Sequence, residues 1–409
     1  MVWSHYVPRF ILKNFSEKLC IYNIKTREYK ENANISKAFA ARDFYSEQVE
    51  KELNNKIEME FSKLSKAKLL ASKSTIVLSR EELYLIKKFL LISVIRSLGS
   101  EELIQKEKYF YDDLNNIGNK LSVNNKIKWE NIDPPFIEKE IKNETPFDYW
   151  MRTINVVLDT NGTKEEIVKH PLATYPAYRW AEVINSGYLA FWDSEFIHDE
   201  FVITDVGMTS ENEIGWDGIA NNNIKKTGFL IDLISKENDE NMRVVLLNQL
   251  QLCACFHENF MMFPLSSKRM IVEISPFYKF MFTYNSYFKM PNLNDLTMIP
   301  NKNLFFPNRV EYIEQQNQLF LVYNENDKYI YEVKKLNKKE TRYCNELFLD
   351  RINTTVGFSS LNKIVGSIVK YKKDNSYPFT PRVDYGEFYK IINKTYQCNL
   401  SISQHVKLK

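Results

Sequence analysis

Apolar positions change their period as the chain is read from one end to the other. From about Ser46 to Ser72, Val49, Leu53, Ile57, Phe61 and Leu64 recur at helical spacing and mark one apolar stripe. With Val49 at zero and about 100° per residue, Glu60 falls at about 20° and Glu50 at about 100°, both inside the stripe, while Glu58 falls outside it at about 180°. A carboxylate on a buried face is costly unless it is paired. Glu60 is therefore expected either to reach out at a helix edge or to meet a cation from elsewhere. A second helix, Glu81 to about Gly99, is announced by Ser79 and Glu82, which have the spacing of a capping box. Its middle is apolar all round, which predicts a core helix. Arg96 ends that run, either as a partner of the helix dipole or as the ion-pair partner of a buried acid. Residues 101–131 read as a polar, peripheral helix, Asp133-Pro134-Pro135 as a break, and Thr145–Leu158 as a helix with Pro146 in its first turn. Short helices are expected within 162–187, divided by Pro171 and Pro176.

Past residue 187 the pattern turns extended. Tyr188–Trp192, Phe201–Thr204, 228–234, 243–247, Phe260–Ser266 and Met270–Ile274 read as strands, with a helix at 248–258. Residues 277–310 are an aromatic-rich loop with a short helix, and Asn345–Ser359 and Leu361–Tyr371 read as helical. Near the N-terminus, residues 20–30 predict a hairpin with a polar turn, and 33–45 a loop leading to a helix capped near Ser46. Neither repeats nor a low-complexity linker interrupts the chain. The predicted fold class is α+β: a helical N-terminal part (1–187), a part built on a mostly antiparallel sheet (188–344) and a basic helical C-terminal part (345–409), packed as one body.

The totals narrow this picture little. In 409 residues, 44% apolar content suffices for a large core, and a net charge of +3 does not mark a nucleic-acid binder. The distribution says more: residues 361–409 carry roughly nine basic and three acidic side chains, and residues 195–240 roughly three basic and eleven acidic. Most of these charges are expected on a solvated face. Cys20, Cys253, Cys255, Cys344 and Cys398 show no CxxC spacing, which suits reduced thiols in a cytoplasmic protein. The longest apolar run, Phe89–Ile95, is far short of the roughly 20 residues that span a bilayer, and Pro8 and Arg9 interrupt any leader-like start. No membrane association is expected.

The opening segment, Ser4-His5-Tyr6-Val7-Pro8-Arg9-Phe10, has a composition unusual for a chain end. It resembles the start of a bacterial family, domain-of-unknown-function family 4238, whose members begin His-Tyr-Val-Pro. Further stretches carry the resemblance over most of the chain: Ala41-Arg42-Asp43-Phe44-Tyr45, the helix with Ile57-Glu58, Arg96 after a hydrophobic helix, Phe201-Val202-Ile203-Thr204-Asp205, and Phe263-Pro264-Leu265-Ser266. Where the family commonly continues Asp-Asn-Pro, this chain has Asp205-Val206-Gly207, a turn built on glycine instead of proline. The resemblance implies membership and no particular reaction. It selects Glu58 on the acidic helix, whereas the periodicity buries Glu60.

Several common centres are absent. The chain has neither a phosphate-binding Gly-x4-Gly-Lys-Ser/Thr loop nor a Gly-x-Ser-x-Gly elbow. His257-Glu258 lacks the second histidine of a zinc-protease helix, and no arginine precedes a histidine at ribonuclease-like Arg-x4–6-His spacing. Zinc is not expected. What remains is a composite site of His5, Arg9, Glu58 or Glu60, Arg96 and Asp205. Carboxylates such as Glu60 and Asp205 could hold Mg2+ or Mn2+, a histidine could act as base, and arginines bind phosphate. That set suits a metal-assisted nuclease, of phage-defence or toxin type, with nucleic acid at the basic C-terminal part. Asp327…Glu332-Val333-Lys334 is a weaker nuclease-like arrangement, read against exposed hairpin charges. The other reading is a non-catalytic protein that binds a ligand or partner through 277–310, its His/Arg/Glu network a structural ion-pair cluster. Either reading leaves room for a homo-oligomer.

Overall fold

One sheet, apolar on both faces, divides the interior into two cores. In the computed structural model of the chain, Tyr188–Ser194 pairs antiparallel with Arg269–Ile274, which pairs with Phe260–Pro264, which pairs in turn with Thr209–Glu211. On the other side Lys328–Leu336 joins Tyr188–Ser194 in parallel and pairs antiparallel with Thr75–Ser79 and Leu304–Phe306. Successive side chains point to opposite faces. Leu189, Phe191, Met261, Phe263 and Ile271 therefore enter one core, and Ala190, Trp192, Met262, Met270 and Val272 the other. This double burial explains why these strands show no polar alternation. The structure describes residues 3–42, 46–97, most of 104–112, 136, 138–195, 199–211, isolated positions between 233 and 246, 260–274, 304–306, 311–315, 318–322, 328–373 and 383–396. None of the described helices is long and apolar enough to cross a membrane.

The first core is closed by the N-terminal helices Arg9–Phe15, Arg80–Ile95, Pro146–Asp159 and Tyr175–Ser186. Both expected caps form, Ser46 ahead of Glu47–Leu53 and Ser79 with Glu82, and Thr145 with Asp148 makes a further capping box ahead of Pro146. The second core is closed by Lys338–Asp350, Val365–Lys373 and Gly386–Tyr396. A four-stranded sheet completes it, in the order Glu28–Lys30, Cys20–Asn23, Thr355–Phe358, Ile203–Thr204. This sheet takes strands from the N-terminal, middle and C-terminal parts of the chain. The architecture is the expected α+β arrangement with a mostly antiparallel sheet.

Three local expectations change. The helix read at 345–359 starts at Lys338, where Asn337 and Glu340 cap it, and stops at Asp350. Thr355–Phe358 then runs extended, its β-branched Thr355 and Val356 fitting a strand. In the segments read as strands at 228–234 and 243–247, the described positions Leu233, Ile234 and Leu246 are helical, a distinction that short apolar runs do not make. Residues 248–258 and 277–303 lie outside the described residues.

The acidic helix departs from regular geometry in a way that positions the site. Glu47–Leu53 continues through a π-helical turn (Asn54–Glu58), Met59–Leu64, and a second π turn (Ser65–Leu69). One face of it buries Val49, Leu53, Ile57, Phe61, Ser65 and Leu69, each four residues from the last, with Leu64 buried beside that stripe. Four residues advance an α-helix by about 400°, so five such steps drift the stripe by roughly 200°. A π turn absorbs one extra residue, returning about 100°, and two of them cancel the drift. Deleting Asn55 should convert the first π turn to α-helix without changing which residues are buried. Denaturant unfolding is expected within about 1 kcal/mol of the parent; a loss of several kcal/mol would show that the extra residue is required.

Candidate functional site

The opening segment folds inward. Trp3–His5 pairs antiparallel with Ala40–Arg42, and the Tyr6 N–H donates to the Phe39 carbonyl at 3.2 Å. Phe39 adopts φ 53°, a conformation rare for a bulky residue. It is held there by close packing on Gly357, where a Cβ would lie 2.9 Å from the Phe39 ring. Pro8 then leads into the helix Arg9–Phe15. Phe10 of that helix packs 5.9 Å from both Phe61 and Phe89, which stack at 3.7 Å. Asn14 Nδ2 donates to the Leu265 carbonyl at 3.1 Å, tying the same helix to the Phe263–Ser266 stretch.

His5 is buried, at 8% exposure, and its backbone N–H donates to Glu50 Oε1 at 2.7 Å. Burial and the nearby Arg9 charge hold its imidazole below the ordinary value of 6.5, while Glu58 and a hydrogen bond to the Ser36 backbone pull the other way. Burial pushes the Glu50 carboxyl up, opposed by the His5 N–H and by Arg96. Arg96 caps the end of the core helix with its side chain 1% exposed, and its Nη1 meets Glu58 Oε1 at 2.6 Å. His5, Arg9, Glu58 and Arg96 thus lie near one another, with Glu50 as a further acid.

Two of the expected residues do other work. Glu60 is exposed. The π turn at Asn54–Glu58 rotates the residues beyond it by about 100°, which carries Glu58 over Glu50 and turns Glu60 to solvent. The family resemblance selected the inward acid, and the regular 3.6-residue wheel did not. Asp205 is fully buried and clamps the turn before Thr355–Phe358. Its Oδ1 accepts from the Asn353 N–H at 3.0 Å, and its Oδ2 accepts from the N–H groups of Thr354 (2.6 Å) and Thr355 (3.0 Å) and from the Thr354 hydroxyl. Burial pushes its carboxyl up and these donors pull it down, burial being the larger effect. The adjoining turn is the expected glycine turn, with Gly207 at φ 75° and its N–H on the Thr204 carbonyl at 2.8 Å.

A Mg2+ or Mn2+ ion held by Glu60 and Asp205 does not fit this placement, since one acid faces water and the other has both oxygens engaged. Among the described residues no group of three or more His, Cys, Asp or Glu side chains is placed to hold a metal ion. Of the weaker nuclease-like set, Glu332 is exposed on the strand Lys328–Leu336, and Asp327 lies outside the described residues.

Beside the polar cluster lies a shallow cleft that opens to solvent. Tyr6, Val7 and Pro8 wall it on one side, Ile203 and Gly207 on another, and Phe263, Pro264 and Leu265 on a third, with Phe89 and Ser93 of the core helix and Ile271 of the sheet behind. Ser93 Oγ is turned onto the Phe89 carbonyl at 2.8 Å, and the lining is mostly apolar. Three of the stretches that suggested the family, the opening segment, Phe201–Asp205 and Phe263–Ser266, meet here, the first roughly 200 residues from the second in sequence.

A family model described as "Protein of unknown function (DUF4238)" matches residues 4–360, and the chain belongs to that family. No curated protein and no solved structure matches the chain.

The acid that matters to this cluster is measurable. Glu58→Ala, which removes one carboxylate from buried Arg96, should cost about 3 kcal/mol in denaturant unfolding, and Glu60→Ala no more than about 0.5 kcal/mol; equal costs would contradict the assignment. In a nuclear magnetic resonance titration, the imidazole signal that His5→Gln removes should titrate below 6.5. Arg9→Ala should move it up and Glu58→Gln down.

Proposed function

We propose that this chain is a non-catalytic binding protein that recognises an apolar small molecule in the cleft, and that the His5–Glu50–Glu58–Arg96 network is the scaffold shaping one wall of it. The observation that carries this reading is the convergence of Tyr6-Val7-Pro8, Ile203 with Gly207, and Phe263-Pro264-Leu265 on one apolar concavity. The neighbouring acids are already occupied: Glu58 by Arg96, Glu50 by the His5 N–H, and Asp205 by four donors. A buried ion-pair cluster of this kind specifies how a segment docks more than it stabilises.

A second reading, phosphodiester hydrolysis by a toxin or phage-defence protein, has one observation in its favour. His5 is held below its ordinary value beside Arg9, whose side chain is exposed. A neutral imidazole is the form that takes a proton, and an exposed guanidinium suits phosphate. Nucleic acid would then approach along the Arg9 face, with the basic residues after 361 as further contacts. No metal step is assigned to it.

Two measurements separate the readings. Fluorescence titration with an apolar, environment-sensitive dye should show saturable binding, weakened at least tenfold by Ser93→Phe, which fills the cleft, with the melting temperature nearly unchanged. Incubation with labelled RNA and DNA, with and without Mg2+ or Mn2+, should leave both intact. Cleavage that His5→Ala abolishes and Glu60→Ala preserves would overturn the binding reading.

A further inference from the structure

Glu273 occupies a place where an acid is costly. It lies in the strand Arg269–Ile274, between Leu189 and Met261 of the flanking strands, on the same face as Ile271 and hence toward the helical core. It is fully buried, and neither carboxyl oxygen has a hydrogen-bond partner among the described residues. From the end of the helix Tyr175–Ser186, Gly187 faces it, and a Cβ there would lie 1.4 Å from Glu273 Oε1. The glycine leaves the space that the carboxyl fills. From the core helix Arg80–Ile95 comes Lys87, the charged group that acts on Glu273. Its ammonium donates to the carbonyls of Asn185 at 2.7 Å and Gly187 at 3.0 Å. There it caps the negative end of the helix dipole. The flanking strands offer only Leu189 and Met261 at this level, neither of which titrates.

An ionised carboxylate in apolar surroundings costs several kcal/mol, and such a group keeps its proton instead. We infer that Glu273 and Lys87 form a proton-gated lock between the central sheet and the helical layer. With Glu273 neutral, the Lys87 ammonium stays on the Asn185 and Gly187 carbonyls and holds the helix end. When Glu273 gives its proton to solvent, its carboxylate draws the ammonium off those carbonyls and the helix end loosens. The lock borders the cleft, because Ile271 lies two residues before Glu273 on the same face, and Phe89 and Ser93 follow Lys87 on the core helix. Control of ligand binding by this proton rests on the reading of the cleft as a recognition site; the lock itself does not.

The pH dependence has a definite sign. Burial raises the Glu273 carboxyl well above its ordinary 4.5. Its contribution to stability is then complete below that value and is lost as pH rises through the folded-state value. Burial pushes Lys87 down to about 8 from 10.5, so its own contribution returns only as pH rises across that interval. The pair titrates jointly, and the net expectation is a loss of stability from about pH 5 toward pH 8.

The test uses the full chain and no ligand. Thermal unfolding followed from pH 5 to pH 8 should show a decline in melting temperature that Glu273→Gln reduces to less than half; an identical decline in the variant would overturn the lock. Hydrogen exchange on the unmodified chain keeps the test open should the variant fail to fold. Protection of the Gly187 N–H, which donates to the Val183 carbonyl at 3.1 Å, should fall severalfold over this range after correction for intrinsic exchange. The helix Pro146–Asp159 is the control, since Lys88 caps its Leu158 and Thr160 carbonyls and the acids that act on it, Glu166 and Asp159, are not buried. Equal behaviour at both helix ends would also overturn the lock. A binding-reading failure leaves both results unchanged.

Discussion

The strand Tyr188–Ser194 sends Leu189 and Phe191 into one layer and Ala190 and Trp192 into the other, and no face of it is left for water. The next two strands on one side, Arg269–Ile274 and then Phe260–Pro264, do the same. A sheet of this kind must be covered twice. That requirement brings the N-terminal helices to one side and the C-terminal helices, with the smaller sheet, to the other. It also explains how segments remote in sequence share one interior. Thr355–Phe358 fits between Cys20–Asn23 and Ile203–Thr204 because the second layer is assembled from all three parts of the chain.

Inside so apolar a body, polar groups are tolerated where they are engaged. Asp205 closes a turn with four donors, and Arg269 grips Asp193 through Nε at 2.5 Å and Nη2 at 2.7 Å, with Lys335 on the same carboxylate at 2.8 Å. Arg152 similarly spans Glu144 and Glu138. These are the geometries that offset desolvation. Against that background the His5 cluster and Glu273 stand apart for different reasons. The cluster mixes acids, arginines and an imidazole at the rim of a cleft, and Glu273 relies on a proton in place of a partner.

The rim owes its form to irregular backbone. Phe39 in the left-handed region supplies the carbonyl that holds Tyr6. The π turn at Asn54–Glu58 sets Glu58 above Glu50. Both are deviations that persist because dense packing holds them, Phe39 by Gly357 and the π turn by the buried four-residue stripe.

Much was legible in the residues alone. The core helix and its Ser79–Glu82 cap, the Thr145–Pro146 helix start, the hairpin near residue 20, the strands at 188–194, 260–264 and 269–274 and the α+β class all follow from local periodicity and capping chemistry, which act over a few residues. His5, Arg9 and Arg96 could be shortlisted because each is a polar group beside an apolar run, and Glu58 because the family resemblance pointed to it. The choice between Glu58 and Glu60 was present in principle in the strict four-residue spacing from Val49 to Leu69, although an ideal 3.6-residue wheel misplaces it. Tertiary structure alone decided the rest. Whether Asp205 would face a metal or a turn depended on Asn353–Thr355, some 150 residues away. The meeting of the opening segment with Ile203, Gly207 and Phe263–Leu265 likewise depended on how two layers close over a sheet. A partner across that distance leaves no local periodicity to read, because the contact is set by packing in three dimensions and not by the spacing of neighbours along the chain.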